Sequence, residues 1–294
     1  MSFMENLETR QEKKEIIISN PEKLEATKKA IADAGAEKLH VLADFDRTLT
    51  AVFLRGESVP PLMAVLRDGG YLTHEYAEKA EVLFKKYHPI EVDQSIPFEE
   101  KKVAMDKWWR EHFDLLIESG LKKGDLEEVI ASGKVKLRDG FAEFADLLNA
   151  RKIPLVIMSS NGLGTESVAL YLKQVGKLSD NVHIICNEYE WDAEGRAVGV
   201  REPIIHALNK YETAIQDFPA FDVVKERKNV IVLGDGLDDV GMVQGFEYDN
   251  LITVGFLNDK VEENKERYQK AFDVVLTGDA SMEYINNFLK EVVR

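Results

Sequence analysis

Short runs of consecutive apolar residues, each ending abruptly in a polar or acidic cluster, set the rhythm of this chain. Leu39-His40-Val41-Leu42-Ala43 runs into Asp44-Phe45-Asp46. Residues 153–158 run into Ser159-Ser160-Asn161-Gly162, and residues 229–233 into Gly234-Asp235-Gly236. Residues 251–256 and 272–276 repeat the apolar pattern. A short segment that is apolar at successive positions suits a strand buried on both faces, as in parallel sheets. Helical stretches separate many of these runs. The pattern predicts an α/β fold with a Rossmann-like, mostly parallel sheet. Ligands bind beyond the carboxyl ends of such strands. The three polar clusters, 115 and 76 residues apart, are therefore expected to converge.

The stretch 51–132 breaks the rhythm. It has helical patterns over 73–87, 97–120 and 125–131 and no convincing buried strand. It reads as a helical cap inserted into the core, which leaves 1–50 and 133–294 as the α/β domain. Elsewhere, Asn20 caps a helix with Pro21 in its first turn, and Gly35 ends it. Asp192-Ala193-Glu194-Gly195 has the turn chemistry of a β-hairpin. The first dozen residues are polar and expected to be loose.

Charge narrows the function. The 294 residues carry a net charge of −15, which repels phosphate backbones and disfavours nucleic-acid polymers. The single cysteine, Cys186, sits in an apolar run and reads as a core residue; with only one, an intrachain disulfide and a cysteine-built metal site are excluded. No run approaches the length of a membrane span. The expectation is a soluble, cytoplasmic protein, monomeric or weakly homo-oligomeric.

Two unpaired acids at one strand end repel each other, and a divalent cation removes that cost. In Asp44-Phe45-Asp46-Arg47-Thr48 one carboxylate can attack phosphorus while the other exchanges protons with the leaving oxygen and water. Asp235 offers a further oxygen ligand for Mg²⁺, with Asp239 holding the site by hydrogen bonds. Ser159 and the amides after it suit a phosphate oxygen. Lys210 is one of 38 basic residues, yet phosphoryl transfer needs one fixed cation.

These motifs together resemble the haloacid dehalogenase superfamily of phosphohydrolases. Further blocks resemble its cytosolic 5′-nucleotidase III, or pyrimidine 5′-nucleotidase, family, from about Leu39 onward. They are Pro89-Ile90-Glu91-Val92-Asp93, the Trp108-Trp109 pair, Ile205-His206 with Asn209-Lys210, and Gly255-Phe256-Leu257-Asn258-Asp259-Lys260-Val261. The resemblance implies a Mg²⁺-dependent 5′-nucleotidase. Asp44 matches the nucleophile, and Asp46 the acid/base whose carbonyl also binds Mg²⁺. Ser159 and Lys210 match the phosphate-binding pair, Asp235 the metal ligand and Asp239 its support. Glu91 matches the residue that reads the base edge, and Trp109 falls where a ring meets the base. The chain departs from the family in a loop after Ser159 that is one residue longer, in Arg47 at a variable position, and in Asp238, an added acid. Glu91 and Trp109 suit a pyrimidine and also a cationic 7-methylguanine. A phosphatase of the same superfamily acting on a sugar phosphate, and a non-catalytic interaction module, are the competing readings.

Overall fold

The computed structural model describes residues 13–54, 56–93, 95–210, 218–244 and 247–293. The N-terminal dozen lies outside these residues. The chain enters along β1 (Ile16–Ile18) and turns into helix α1 (Pro21–Ala34). The Asn20 side chain accepts the Lys23 amide at 3.0 Å, and Gly35, at φ 87°, returns its N–H to the Ile31 carbonyl. Both expected helix ends are therefore realised.

The expected strands appear as β2 (Leu39–Ala43), β5 (Leu155–Met158), β9 (Asn229–Gly234), β10 (Asn250–Leu257) and β11 (Val274–Thr277). They join β6 (Val182–Ile185) and β1 in one seven-stranded sheet, ordered β1-β11-β10-β9-β2-β5-β6. Every pairing is parallel except β1 with β11. The fold class is the expected one. The strand β1 and the sheet position of β6 were not foreseen.

Side-chain alternation divides the core into layers. Val41, Ala43, Leu155, Ile157, Ile231 and Leu233 pack in one apolar cluster. Leu42, Val156, Met158, Val230 and Val232 pack in another on the opposite face. The first layer is covered by α1, by α6 (Phe141–Ala150), α7 (Gly164–Gln174) and α10 (Glu283–Val292). The second meets α8 (Ala220–Val224). Each buried Leu, Ile or Phe contributes about 1.5–3 kcal/mol, so the sheet centre is a rigid floor for the loops above it.

Between β2 and β5 run a small hairpin of β3 (Phe53–Leu54) and β4 (Glu57–Ser58) and helices α2 (Leu62–Asp68), α3 (His74–Val92), α4 (Phe98–Glu118) and α5 (Lys123–Ala131). Helix α3 runs one turn past the expected end at Tyr87, with Pro89 inside it and Glu91 on its final turn. The chain leaves and returns side by side. Ala51 donates to the Lys136 carbonyl, and Arg138 donates its amide to that of Leu49, both at 2.9 Å. The expected hairpin at 192–195 joins β7 (Tyr189–Trp191) to β8 (Ala197–Val200). No described helix is long and apolar enough to cross a membrane.

Candidate active site

Asp44, Ser159 and Asp235 each follow the carboxyl end of a parallel strand: β2, β5 and β9. Since β2 lies between β5 and β9, the three strand ends are neighbours. The Asp44 amide donates to the Leu233 carbonyl at 3.0 Å, locking the first loop to the third strand. Carboxylate oxygens of Asp44, Asp235 and Asp239 lie within 4.8 Å of one another. This is the convergence expected from residues separated by almost two hundred positions.

Lys210 reaches the cluster from a turn that ends the segment 203–210. Its ammonium bonds Asp44 Oδ1 at 2.5 Å and Asp239 Oδ1 at 2.8 Å. All three side chains are at most 7% exposed. Burial pulls Lys210 down, but the charges of Asp239 and Asp44 outweigh it and hold the ammonium above the usual lysine value. Burial lifts Asp44 well above the usual carboxylate range, against the pull of Lys210 and with further lift from Asp239 and Asp235. Burial and the charge of Asp239 raise Asp235 to about 6.

Asp239 has a settled position. Its Oδ2 accepts the Gly236 amide at 2.9 Å while Oδ1 takes Lys210. The adjacent Asp238 is exposed. A Cβ on Gly234 would stand 2.3 Å from that of Asp239, so only glycine leaves the carboxylate room beneath Lys210. Arg47 adopts a left-handed backbone, φ 63°, and spans Asp235 at 3.0 Å and Asp259 at 2.7 Å. It faces an acid of the cluster rather than solvent alone.

The donor set fits a hard divalent cation: carboxylate oxygens only, clustered tightly enough for one ion, with surplus negative charge. Lys210 and Arg47 offset part of that charge without filling the lone pairs of Asp44 and Asp235.

Asp46 points to the other side. Its Oδ2 accepts Asn161 Nδ2 at 2.8 Å. Its Oδ1 is buried and has no hydrogen-bond partner among the described residues. Burial raises this carboxyl too, with Asn161, Lys210, Arg47 and the Leu62 amide pulling back. Ser159 is buried, and its Oγ accepts the Asn161 amide at 3.1 Å.

From the inserted helices, Trp109 Nε1 donates to the Ser160 carbonyl at 3.4 Å, which brings this ring to the loop after β5. Trp108 instead stacks on Tyr87 at 5.8 Å and 15°, inside a separate apolar cluster. Glu91 is half-buried. Burial raises its carboxyl and the charge of Asp238 adds to that, against His88 and Lys101. Lys101 donates to the Glu91 carbonyl at 2.9 Å.

Sequence reasoning missed two supports. Arg138, 2% exposed, donates to the Thr48 and Arg47 carbonyls, to Asn258 and to Asp279, and lies 4.1 Å over the Phe256 ring. Asp279 in turn accepts the amides of Val52 and Phe53, where the chain leaves for the inserted helices. Asn161 is the second. Neither carries a local pattern that would single it out.

Acids beyond two adjacent parallel strands and a serine beyond a third, a buried lysine between two of the acids and helices inserted after β2 define a haloacid dehalogenase-like α/β fold. A family hydrolase of that superfamily from Salmonella enterica serovar Typhi shares the fold, with TM-score 0.52 at 15% identity over 86% of this chain and 71% of that one. The sequence model of the pyrimidine 5′-nucleotidase (UMPH-1) family matches residues 47–293, and the chain belongs to that family. It is 32% identical to the 7-methylguanosine phosphate-specific 5′-nucleotidase of Gallus gallus over 96% of this chain and 97% of that one. The crystal structure of cytosolic 5′-nucleotidase IIIB bound to cytidine superposes with TM-score 0.86 at 27% identity, covering 94% of this chain and 93% of that one. The protein is thus a 5′-nucleotidase, a phosphoric monoester hydrolase.

Proposed function

We propose that the enzyme releases phosphate from pyrimidine nucleotides such as CMP and UMP, from 7-methyl-GMP, or from both, through an aspartyl phosphate on Asp44, with Mg²⁺ as its ion. The observation that carries this reading is the buried Asp44–Lys210–Asp239 triad beside Asp235. In this reading Asp44 attacks the 5′-phosphate in line while Asp46 protonates the nucleoside oxygen. Asp46 then takes a proton from the water that cleaves the aspartyl phosphate. Ser159 and Lys210 bind the phosphoryl oxygens. The Asp44 and Asp235 carboxylates, with the Asp46 carbonyl, would hold Mg²⁺, and Asp239 would keep Lys210 and the loop in place. The ion supplies charge neutralisation for the phosphoryl group.

Residues 51–132 serve as the cap. Trp109 on α4 already touches the loop after Ser159, so a base entering beside it would meet the indole face. Glu91, at the end of α3, would accept from the exocyclic amine of cytosine or 7-methylguanine. A cationic base gains additionally against Trp109. The name of the Gallus gallus relative gives 7-methylguanosine phosphate and the superposed structure holds cytidine, which supports both classes of base. The enzyme acts in the cytoplasm as a monomer or weak homo-oligomer.

Phosphate release with Mg²⁺ from CMP, UMP, GMP, AMP, 7-methyl-GMP and a hexose phosphate tests this. At least one of CMP, UMP and 7-methyl-GMP should exceed the hexose phosphate by roughly tenfold or more in kcat/KM. Glu91→Ala should erode that margin. Equal turnover of the sugar phosphate would contradict the nucleotide reading.

A further inference from the structure

Asp46 presents two unlike oxygens. Oδ2 is tied to Asn161 Nδ2 at 2.8 Å, whereas Oδ1 is buried and makes no hydrogen bond of ordinary length and angle, with the Leu62 amide the other donor near the carboxylate. An amide N–H must meet a lone pair, so the oxygen it binds is a poor place for a proton. A buried carboxyl oxygen with no partner is costly unless something else meets it. A proton passing to a leaving oxygen would meet that need.

Asn161 is itself held from every side. It is 4% exposed. Its Oδ1 accepts the Leu163 amide at 2.8 Å, its own amide donates to Ser159 Oγ at 3.1 Å, and its carbonyl accepts the Gly164 amide at 3.1 Å. With Oδ1 committed to Leu163, Nδ2 has one orientation, and that orientation faces Asp46.

We infer that Asn161 is a positioning residue for nucleotide cleavage: its side-chain amide clamps Oδ2 of Asp46 so that Oδ1 faces the departing nucleoside oxygen and delivers the proton. The inference rests on the reading of Asp46 as the acid. In the step, the Asp44 carboxylate forms a bond to phosphorus and the phosphorus–O5′ bond breaks. The proton on Oδ1 passes to O5′, leaving nucleoside, an aspartyl phosphate and an Asp46 carboxylate. Asn161 transfers nothing. It fixes direction, so its loss matters most where the leaving group needs a proton.

Leaving-group dependence tests this in a single turnover, by comparing release of nucleoside from CMP or 7-methyl-GMP with release of p-nitrophenolate from p-nitrophenyl phosphate. Nitrophenolate departs without protonation. Asn161→Asp keeps an acceptor for the Leu163 amide and removes the donor to Asp46. Asn161→Ala removes both. Both variants should slow nucleoside release about tenfold or more and nitrophenolate release by less than about threefold, since general-acid catalysis is worth roughly 10²–10⁴-fold when fully lost. Equal slowing of both leaving groups would make Asn161 a loop residue and overturn the inference. So would an Asn161→Asp enzyme with normal nucleoside release. Asp46→Asn is the reference. If it shows the selective loss and the Asn161 variants do not, the part given to Asn161 falls and the acid assignment stands. If Asp46→Asn shows no selectivity, the acid assignment falls and the inference falls with it.

Discussion

An ammonium enclosed by two carboxylates is costly to assemble and more costly to break. Lys210, Asp44 and Asp239 are all buried, so their attraction is little screened. Replacing Lys210 by Met leaves two buried acids facing each other. Without divalent ions, Lys210→Met should lose about 3–5 kcal/mol in urea unfolding. A change below about 1 kcal/mol would mean that the lysine does not neutralise the pair. The strand-end acids are conspicuous in the sequence by themselves, whereas Lys210 stands out among the basic residues only through the family resemblance. Lys210 sits in a turn and its neighbours in sequence say nothing of where that turn points. The same holds for Asn161 and Arg138, whose contacts lie 115 and about 90 to 140 residues away.

Legibility at the scale of elements follows burial. Strands β2, β5, β9, β10 and β11 are apolar at nearly every position because both faces are covered, and their pattern is local. Strand β1 has three residues with exposed flanks and exists only through pairing with β11, from the far end of the chain. Half-buried β6 gives a similarly weak signal. On α4 the adjacent tryptophans divide their duties, since neighbours on a helix diverge by about 100°. Trp108 is 7% exposed and packs with Tyr87, Met105 and Leu208. Trp108→Ala should therefore cost about 3–5 kcal/mol of stability. Trp109→Ala should instead raise KM for nucleotides roughly tenfold, the scale of a lost base–aromatic stack, with a smaller loss of stability. Thermal melts beside steady-state kinetics separate the two, and exchanged effects would contradict the placement of the base.

Taken whole, the molecule concentrates surplus negative charge at one end of its sheet and depends on cations to hold it. Asp235 is raised from 3.8 to about 6, and Asp44 is raised as well. A carboxylate raised in the folded state favours folding at low pH and loses that contribution as pH climbs through the folded value. Without a divalent cation the enzyme should therefore have lost this contribution by about pH 6, and an added divalent cation should restore the balance there by favouring the ionised acids. Buried His40 and His112, each lowered to about 4, act oppositely, losing stability as pH falls from 6.5. They do so with or without the ion and cancel in the comparison. The rise in Tm on adding Mg²⁺ should be larger at about pH 7.5 than at about pH 5. An equal rise would place the ion elsewhere.

The most direct measurement of the central claim is where phosphate becomes attached to the protein during turnover. Enzyme mixed with Mg²⁺ and CMP or 7-methyl-GMP, quenched in acid and digested, should carry an acid-stable, hydroxylamine-labile phosphoryl group on the peptide containing Asp44. Asp44→Asn should abolish both the label and turnover while leaving the fold intact. Phosphate on another residue, or an Asp44→Asn enzyme that still turns over at near-normal rate, would contradict the account.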